Sequence, residues 1–515
     1  MRRQHSLPKR APEDHGTDPE VLLRLLDRIA EEGLEVHSLL VWHDGALIQE
    51  AYWDPYGPDR LHMMHSVTKS FTAMAVGLAW DDGLLELDAP VIGFFPEHRA
   101  VAPEGIEAMT LRHLLTMTSG HGRGISGGAW RKLETSWVAD FLRQPLDHVP
   151  GAVFVYDSAC SYVLSAIVQK VTGRTCHDLL RRRVFDPLEM TPGLRWDLSP
   201  EGINSGGNGL WCTSRDLLSL GLLHLHHGRW RGRQILSRDW VRAATGMQLR
   251  DVSLGVLTGE AYLGPGESFE GAEAERREGY GFQWWRGPHD SYSANGLFGQ
   301  NCFVFPNERA VVAVTAGMDD EDSRLKQMIH EDLRPALGQW RGAELAPRIA
   351  GLDLVPAPPG NLEAAPEGWQ GLYLAQDNDQ QVTGIRLAQD GPTLRLDIED
   401  ARGRHALRAG LGHRQGGMTT LSGASLHHAY EFDAPGARVA AWAAWSATDA
   451  EGWSCLTLDC AFIETAFRDT LRLWLRGGEM RLEREVNVNS SIRHLPQLRA
   501  TRLAQECPEP EETPT

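Results

Sequence analysis

Between about residues 341 and 368 the chain turns to proline-rich, weakly apolar runs, PAPPG and EAAPEG, with neither helical nor strand periodicity. Such a stretch reads as an extended linker and restricts what the rest can form. A chain of 515 residues already exceeds the roughly 250–300 residues at which one hydrophobic core stops growing. Two folded units are therefore expected, over 18–345 and 369–503, joined by a linker at 346–368. The polar residues 1–17 and the Glu- and Pro-rich residues 504–515 read as disordered tails.

The two units differ in pattern. In the first, Asp18 and Pro19 suit an N-cap and first helical position, and VLLRLLDRIAEEG behind them carries helical spacing up to Gly33. Two apolar runs around Asp44-Gly45 then predict a hairpin, because Asp-Gly suits a type I′ turn. Helical runs follow at about 66–82, 111–119, 159–173 and 214–228. Strand patterns return at 280–287 and 301–317, the second broken at Pro306-Asn307. Strands at both ends with helices between predict an α+β domain, an antiparallel sheet assembled from its termini plus a helical insert. Beyond the linker, short alternating runs such as TLRLDIED, SCLTLDCAF and TLRLWLR predict a small all-β barrel or sandwich.

Charge and cysteines narrow the function classes. A net charge of −18 opposes binding to phosphate backbones or anionic membranes, so neither nucleic acid nor membrane is an expected partner. Met1-Arg2-Arg3 is basic, but no apolar signal stretch follows and no run is long enough to span a bilayer. A cytoplasmic location is expected. The seven cysteines, Cys160, Cys176, Cys212, Cys302, Cys455, Cys460 and Cys507, lack C-x-x-C spacing and read as reduced thiols.

Chemistry concentrates at Ser66 and Lys69. Three residues apart at a helix start, they share one face, so hydroxyl and amine come within hydrogen-bond reach. A lysine serves as base for a serine only if burial lowers its pKa, and Met63, Met64, Phe71, Met74 and Val76 supply apolar surroundings. The same tetrapeptide also fits an ordinary N-cap serine followed by an exposed lysine. Other motifs are poorer candidates. Gly124-Ile125-Ser126-Gly127-Gly128 matches a nucleophile elbow but follows a glycine-rich loop where that elbow needs a strand. The overlapping glycines of 122–127 fit a dinucleotide loop only in spacing. His224, His226 and His227 lack a third ligand at useful spacing, so they read as a polar helix end and no metal is expected. Trp53, Trp284 and Trp285 could line an apolar acyl pocket or simply the core.

The stretches HSVTKSFTAMAVGLAWDDGLLELDAPV, MTLRHLLTMTSG and FVYDSACSYVLSAIVQKVTG give these residues an order. Together, over roughly residues 35–340, they resemble the serine β-lactamase, penicillin-binding-protein and carboxylesterase superfamily. The resemblance is strongest to the class C β-lactamase-like branch that holds family VIII esterases and 6-aminohexanoate-dimer hydrolases. It implies a β-lactamase-like fold, Ser66 as nucleophile, Lys69 as its base and Tyr156 in a proton relay. Ser158 stands where the family usually has the Asn of Y-x-N. The stretch from Tyr292 to Gln300 replaces the K-T-G strand with A-x-G-x-x-G-Q and offers no cationic carboxylate clamp. In that form the resemblance implies an oxyanion hole from the Ser66 and Asn295 N–H groups, with Ser158, Ala294 and Gly296 in the substrate pocket. The expectation is a cofactor-free hydrolase of a small ester or amide. A β-lactamase or D-Ala-D-Ala peptidase, and a non-catalytic binding protein of the same fold, are the alternatives. Nothing in the sequence indicates an oligomeric state.

Overall fold

The computed structural model describes residues 7–122, 135–250, 278–319, 322–339, 365–421 and 435–503 with few breaks, plus short pieces near 124, 133, 252–262 and 423–432. The glycine-rich motif around Ser126, the linker up to residue 364, Cys507 and the C-terminal tail lie outside the described residues. The chain separates into two compact units, residues 1–352 and 353–515.

The first unit opens with helix α1 (Pro19–Glu31), capped by the Asp18 carboxylate on the Glu20 N–H at 2.9 Å. Strands β1 (Val36–His43) and β2 (Ala46–Tyr52) form the expected hairpin. Asp44 and Gly45 turn it with φ of 41° and 97°, both left-handed, as a type I′ turn needs. Short strand β3 (His62–Met63) leads through a 3-10 turn, His65–Val67, into α2 (Thr68–Asp81). Next come α3 (Leu111–Leu115), α4 (Trp137–Arg143), α5 (Ser158–Thr172) and α6 (Cys176–Leu180). Strands β4 (Arg195–Trp196) and β5 (Leu210–Cys212) make a small sheet with β3, with β5 in the middle. Helices α7 (Ser214–Leu225) and α8 (Arg238–Thr245) precede β6 (Trp285–Arg286), β7 (Tyr292–Gly296), β8 (Gln300–Phe305) and β9 (Ala310–Ala316). The main sheet runs β6-β7-β8-β9-β1-β2, antiparallel throughout, so the domain's first and last strands meet at β9 and β1.

Helix α2 is buried on nearly every face, from Thr68 to Ala79, because the β7 side of the sheet and α5 pack against it. That explains its lack of charged residues between Lys69 and Asp81. Three expectations are corrected. Residues 7–17, read as part of a disordered tail, are placed: Lys9 bridges Leu47, Arg10 N–H donates to the Leu47 carbonyl, and Thr17 is buried. This segment covers the outer edge of β2, which otherwise exposes unpaired backbone groups. The 111–119 helix stops at Leu115, and Met117 turns the chain with φ of 58°. The strand pattern at 280–287 forms only the two-residue β6, because Gln283 adopts φ of 61°.

The second unit is a ten-stranded sheet from Gly371–Ala375 to Leu498–Arg502. It curls until the strands Gly403–Leu411 and Ala437–Trp445 pair in parallel at Gly410–Trp442 and Leu411–Ala443, so the sheet closes into a barrel. Alternate residues of Arg468–Arg476 (Asp469, Leu471, Leu473 and Leu475) are buried. Among the buried residues is an ionic cluster: Asp469 accepts from His427 Nε2 at 2.7 Å and from Arg484 Nε at 2.8 Å. Burial alone would raise the Asp469 pKa, but the charges of His427 and Arg484 hold it below the ordinary carboxylate value.

Candidate active site

Ser66 sits in the 3-10 turn that starts α2, and Lys69 lies in the first turn of the helix proper. The residue before the serine, His65, is buried with φ of 44°, a conformation that non-glycine residues seldom adopt. It is anchored on both sides: Met64 N–H donates to the Leu210 carbonyl of β5, and Val67 N–H to the Met64 carbonyl. The His65 ring meets Phe298 edge-on at 5.3 Å. The turn thus presents Ser66 from a held backbone.

Lys69 is 1% exposed, and its Nζ donates to Ser66 Oγ at 2.9 Å, Ser158 Oγ at 3.1 Å and the Gly207 carbonyl at 2.8 Å. Burial disfavours the ammonium and brings its pKa from 10.5 to about 7, although the Asp157 carboxylate works in the opposite direction. An amine that titrates near neutrality and touches a hydroxyl can accept its proton.

Tyr156 and Ser158 reach the lysine because Asp157 caps α5, its Oδ1 accepting the Ala159 N–H at 2.8 Å. Lys69 Nζ stands 4.8 Å from the centroid of the Tyr156 ring, which also stacks on Trp285 at 5.5 Å and 28°. Of the three tryptophans considered for a pocket, only Trp285 meets a candidate site residue. Trp284 is core, packed on His224 and Tyr292, and Trp53 is buried with its backbone N–H on the His37 carbonyl.

Strand β7 passes close to the nucleophile. A Cβ on Gly296 would stand 2.5 Å from the Met64 carbonyl oxygen and 3.2 Å from Ser66 N, so only glycine allows this approach. Asn295 precedes it, opposite Asn301 of β8, and Ala294 is buried in the core. Strands β7 and β8 form a tight hairpin, turning through Phe298 and Gly299 at φ of 66° and 87°.

Two contributors escape the sequence reading. Gly207 supplies the third acceptor on Lys69, from a Gly206-Gly207 loop too close to Ser158 and Ser161 for side chains. The run NSGGNG at 204–209 was its only signal. Gln283 is a buried hub: its Oε1 accepts from Ser161 at 2.6 Å, its Nε2 donates to the Leu114 and Leu115 carbonyls, and its own carbonyl accepts from Ser70 at 2.7 Å. It ties α2, α3 and α5 together two residues before Trp285. The histidine cluster is corrected. Helix α7 ends at Leu225, and His224 is fully buried with Nδ1 against the Leu220 carbonyl at 2.9 Å, so it is core and not a polar end. Among the described residues no group of His, Cys, Asp and Glu is arranged to hold a metal ion, and no helix is long and apolar enough to cross a membrane.

The Beta-lactamase family model matches residues 25–334. The 6-aminohexanoate-dimer hydrolase of Paenarthrobacter ureafaciens is 24% identical over 335 residues, 60% of this chain and 82% of that protein. Esterase EstB of Burkholderia gladioli is 33% identical over 152 residues, 26% of this chain and 38% of that protein. A solved structure from Bacillus anthracis, provisionally assigned as a 6-aminohexanoate-dimer hydrolase, superposes with a TM-score of 0.51 at 20% identity, over 66% of this chain and 89% of that one. That likeness establishes the fold.

Proposed function

The chain belongs to the Beta-lactamase family of serine hydrolases, and from that premise we propose that it cleaves a small ester or amide through an acyl-enzyme on Ser66. One observation carries the reading: a fully buried lysine that titrates near neutrality lies 2.9 Å from the serine hydroxyl. Neutral Lys69 takes the Ser66 proton as Oγ attacks the carbonyl carbon. The tetrahedral oxyanion forms against the Ser66 and Asn295 N–H groups, a pair of donors worth several kcal/mol in such a step. Collapse expels the alcohol or amine, which takes up the proton that Lys69 received, and water activated by the Lys69–Tyr156 pair then frees the enzyme. No step calls for a metal or cofactor.

Substrate chemistry follows from what β7 carries. Ala294 occupies the place of the K-T-G lysine, and the stretch from Ser291 to Gln300 has no charged residue, which favours uncharged esters and amides over substrates held by a carboxylate. The esterase and amide-hydrolase names among the relatives point the same way. Turnover of p-nitrophenyl acetate and short acyl amides, run beside nitrocefin and D-Ala-D-Ala peptides, tests the reading. Ester and amide cleavage that falls at least ~10³-fold in Ser66→Ala and Lys69→Ala supports it. Full activity in Ser66→Ala overturns it.

A further inference from the structure

Three acceptors surround the Lys69 amine, and they are not equivalent. The Gly207 carbonyl can only accept, so at 2.8 Å it holds one lysine N–H throughout. A neutral amine then has one N–H and one lone pair left for two hydroxyls. To take the Ser66 proton the lone pair must face Ser66 Oγ, 2.9 Å away, which leaves the remaining N–H for Ser158 Oγ at 3.1 Å. Ser158 is thus an acceptor towards the lysine, and its own hydrogen points elsewhere. Lys69 is the only hydrogen-bond partner of Ser158 Oγ among the described residues, and Ser158 is only half-buried at the start of α5.

We propose that Ser158 is a catalytic residue that delivers the proton to the leaving group during acylation. The inference rests on the reading that Ser66 is acylated. The transfer balances: Ser66 O–H gives its proton to the Lys69 nitrogen as the Oγ–carbon bond forms. When the tetrahedral intermediate collapses, a Lys69 N–H bond breaks towards Ser158 Oγ. The Ser158 O–H bond breaks towards the departing oxygen or nitrogen, which leaves with the electron pair of the carbonyl-carbon bond. Lys69 ends neutral and Ser158 regains its hydroxyl. An asparagine here could hold the lysine but could not pass a proton on, because its amide exchanges hydrogens far less readily than a hydroxyl. The serine in the Y-x-S sequence changes what the position does.

Leaving groups separate this role from simple positioning. For acetate esters of p-nitrophenol, phenol and ethanol, kcat/KM reports acylation, and the need for a proton rises along that series. In Ser158→Ala the expected loss grows from a few-fold on the p-nitrophenyl ester to ~100-fold on the ethyl ester, the usual scale of a general acid. An equal loss on all three overturns the inference and leaves Ser158 as a support for Lys69. A loss that steepens in Tyr156→Phe and stays uniform in Ser158→Ala overturns it too, in favour of the tyrosine. A fluorophosphonate, whose fluoride leaves without a proton, marks Ser66 in both proteins and shows that Ser158→Ala is folded. If even the wild type is not labelled at Ser66, the proposed function fails and not this refinement alone.

Discussion

Replacing Lys69 with Met removes the amine and keeps an unbranched side chain in the same space, so it isolates what burying that amine does to stability. In the unfolded chain the lysine holds its proton up to pH 10.5, whereas in the folded protein it releases it near 7. Between those values unfolding takes up a proton, so wild-type stability rises with pH by up to about 1.4 kcal/mol per pH unit. From pH 6 to pH 9 the wild type gains about 3 kcal/mol, and the full displacement corresponds to about 5 kcal/mol. Lys69→Met has no such group and misses that gain. The three acceptors it strands weaken it by an amount that does not depend on pH, so the comparison cancels them. Urea unfolding of both proteins at pH 6, 7, 8 and 9, following the transition of the first unit, gives the gap directly. It should shift in favour of the wild type by about 3 kcal/mol across that range. A gap constant to within ~0.5 kcal/mol means the lysine titrates as an exposed one does, and the account of Ser66 activation fails with it.

Kinetics should report the same group: kcat/KM for an activated ester rises with pH to half its plateau near pH 7, and a rise centred above pH 9 contradicts the assignment. Gly296→Ala forces a Cβ to within 2.5 Å of the Met64 carbonyl. Fluorophosphonate labelling of Ser66 should slow ~100-fold while circular dichroism stays native, since misplacement of about 1 Å is enough. Gln283→Ala removes three side-chain hydrogen bonds from a buried hub and should lower the stability of the first unit by about 3 kcal/mol in denaturant titration. In the second unit Asp469→Ala leaves the buried Arg484 without its counter-charge. That should weaken the barrel by ~3–5 kcal/mol and leave the rate of Ser66 labelling as in the wild type.

Local signals carried the outline of the fold. The Asp44-Gly45 hairpin, the Asp18-Pro19 helix start and the break at Pro306 are set by neighbouring residues, so they were legible without tertiary knowledge. Ser66, Lys69 and Tyr156 were legible because a helical turn and an ordered set of motifs bring them together. What escaped depends on distant packing. Gly207 reaches Lys69 across 138 residues of chain, and Gln283 acts through backbone carbonyls on other helices. His224 looked like a polar helix end because His226, His227 and Gly228 follow it; only the fold puts Trp284 against it. Lys9 looked like tail because an edge strand at Leu47 is invisible to a reading of residues 1–17 alone.

The central claim is that Ser66 becomes acylated because Lys69 is buried against it. Labelling the full chain with a fluorophosphonate and mapping the adduct by mass spectrometry measures that claim directly. A single adduct on the peptide containing Ser66, formed much more slowly in Lys69→Met, is the predicted result. An adduct on Ser126 or another serine, or a rate unaffected by the loss of Lys69, would contradict it.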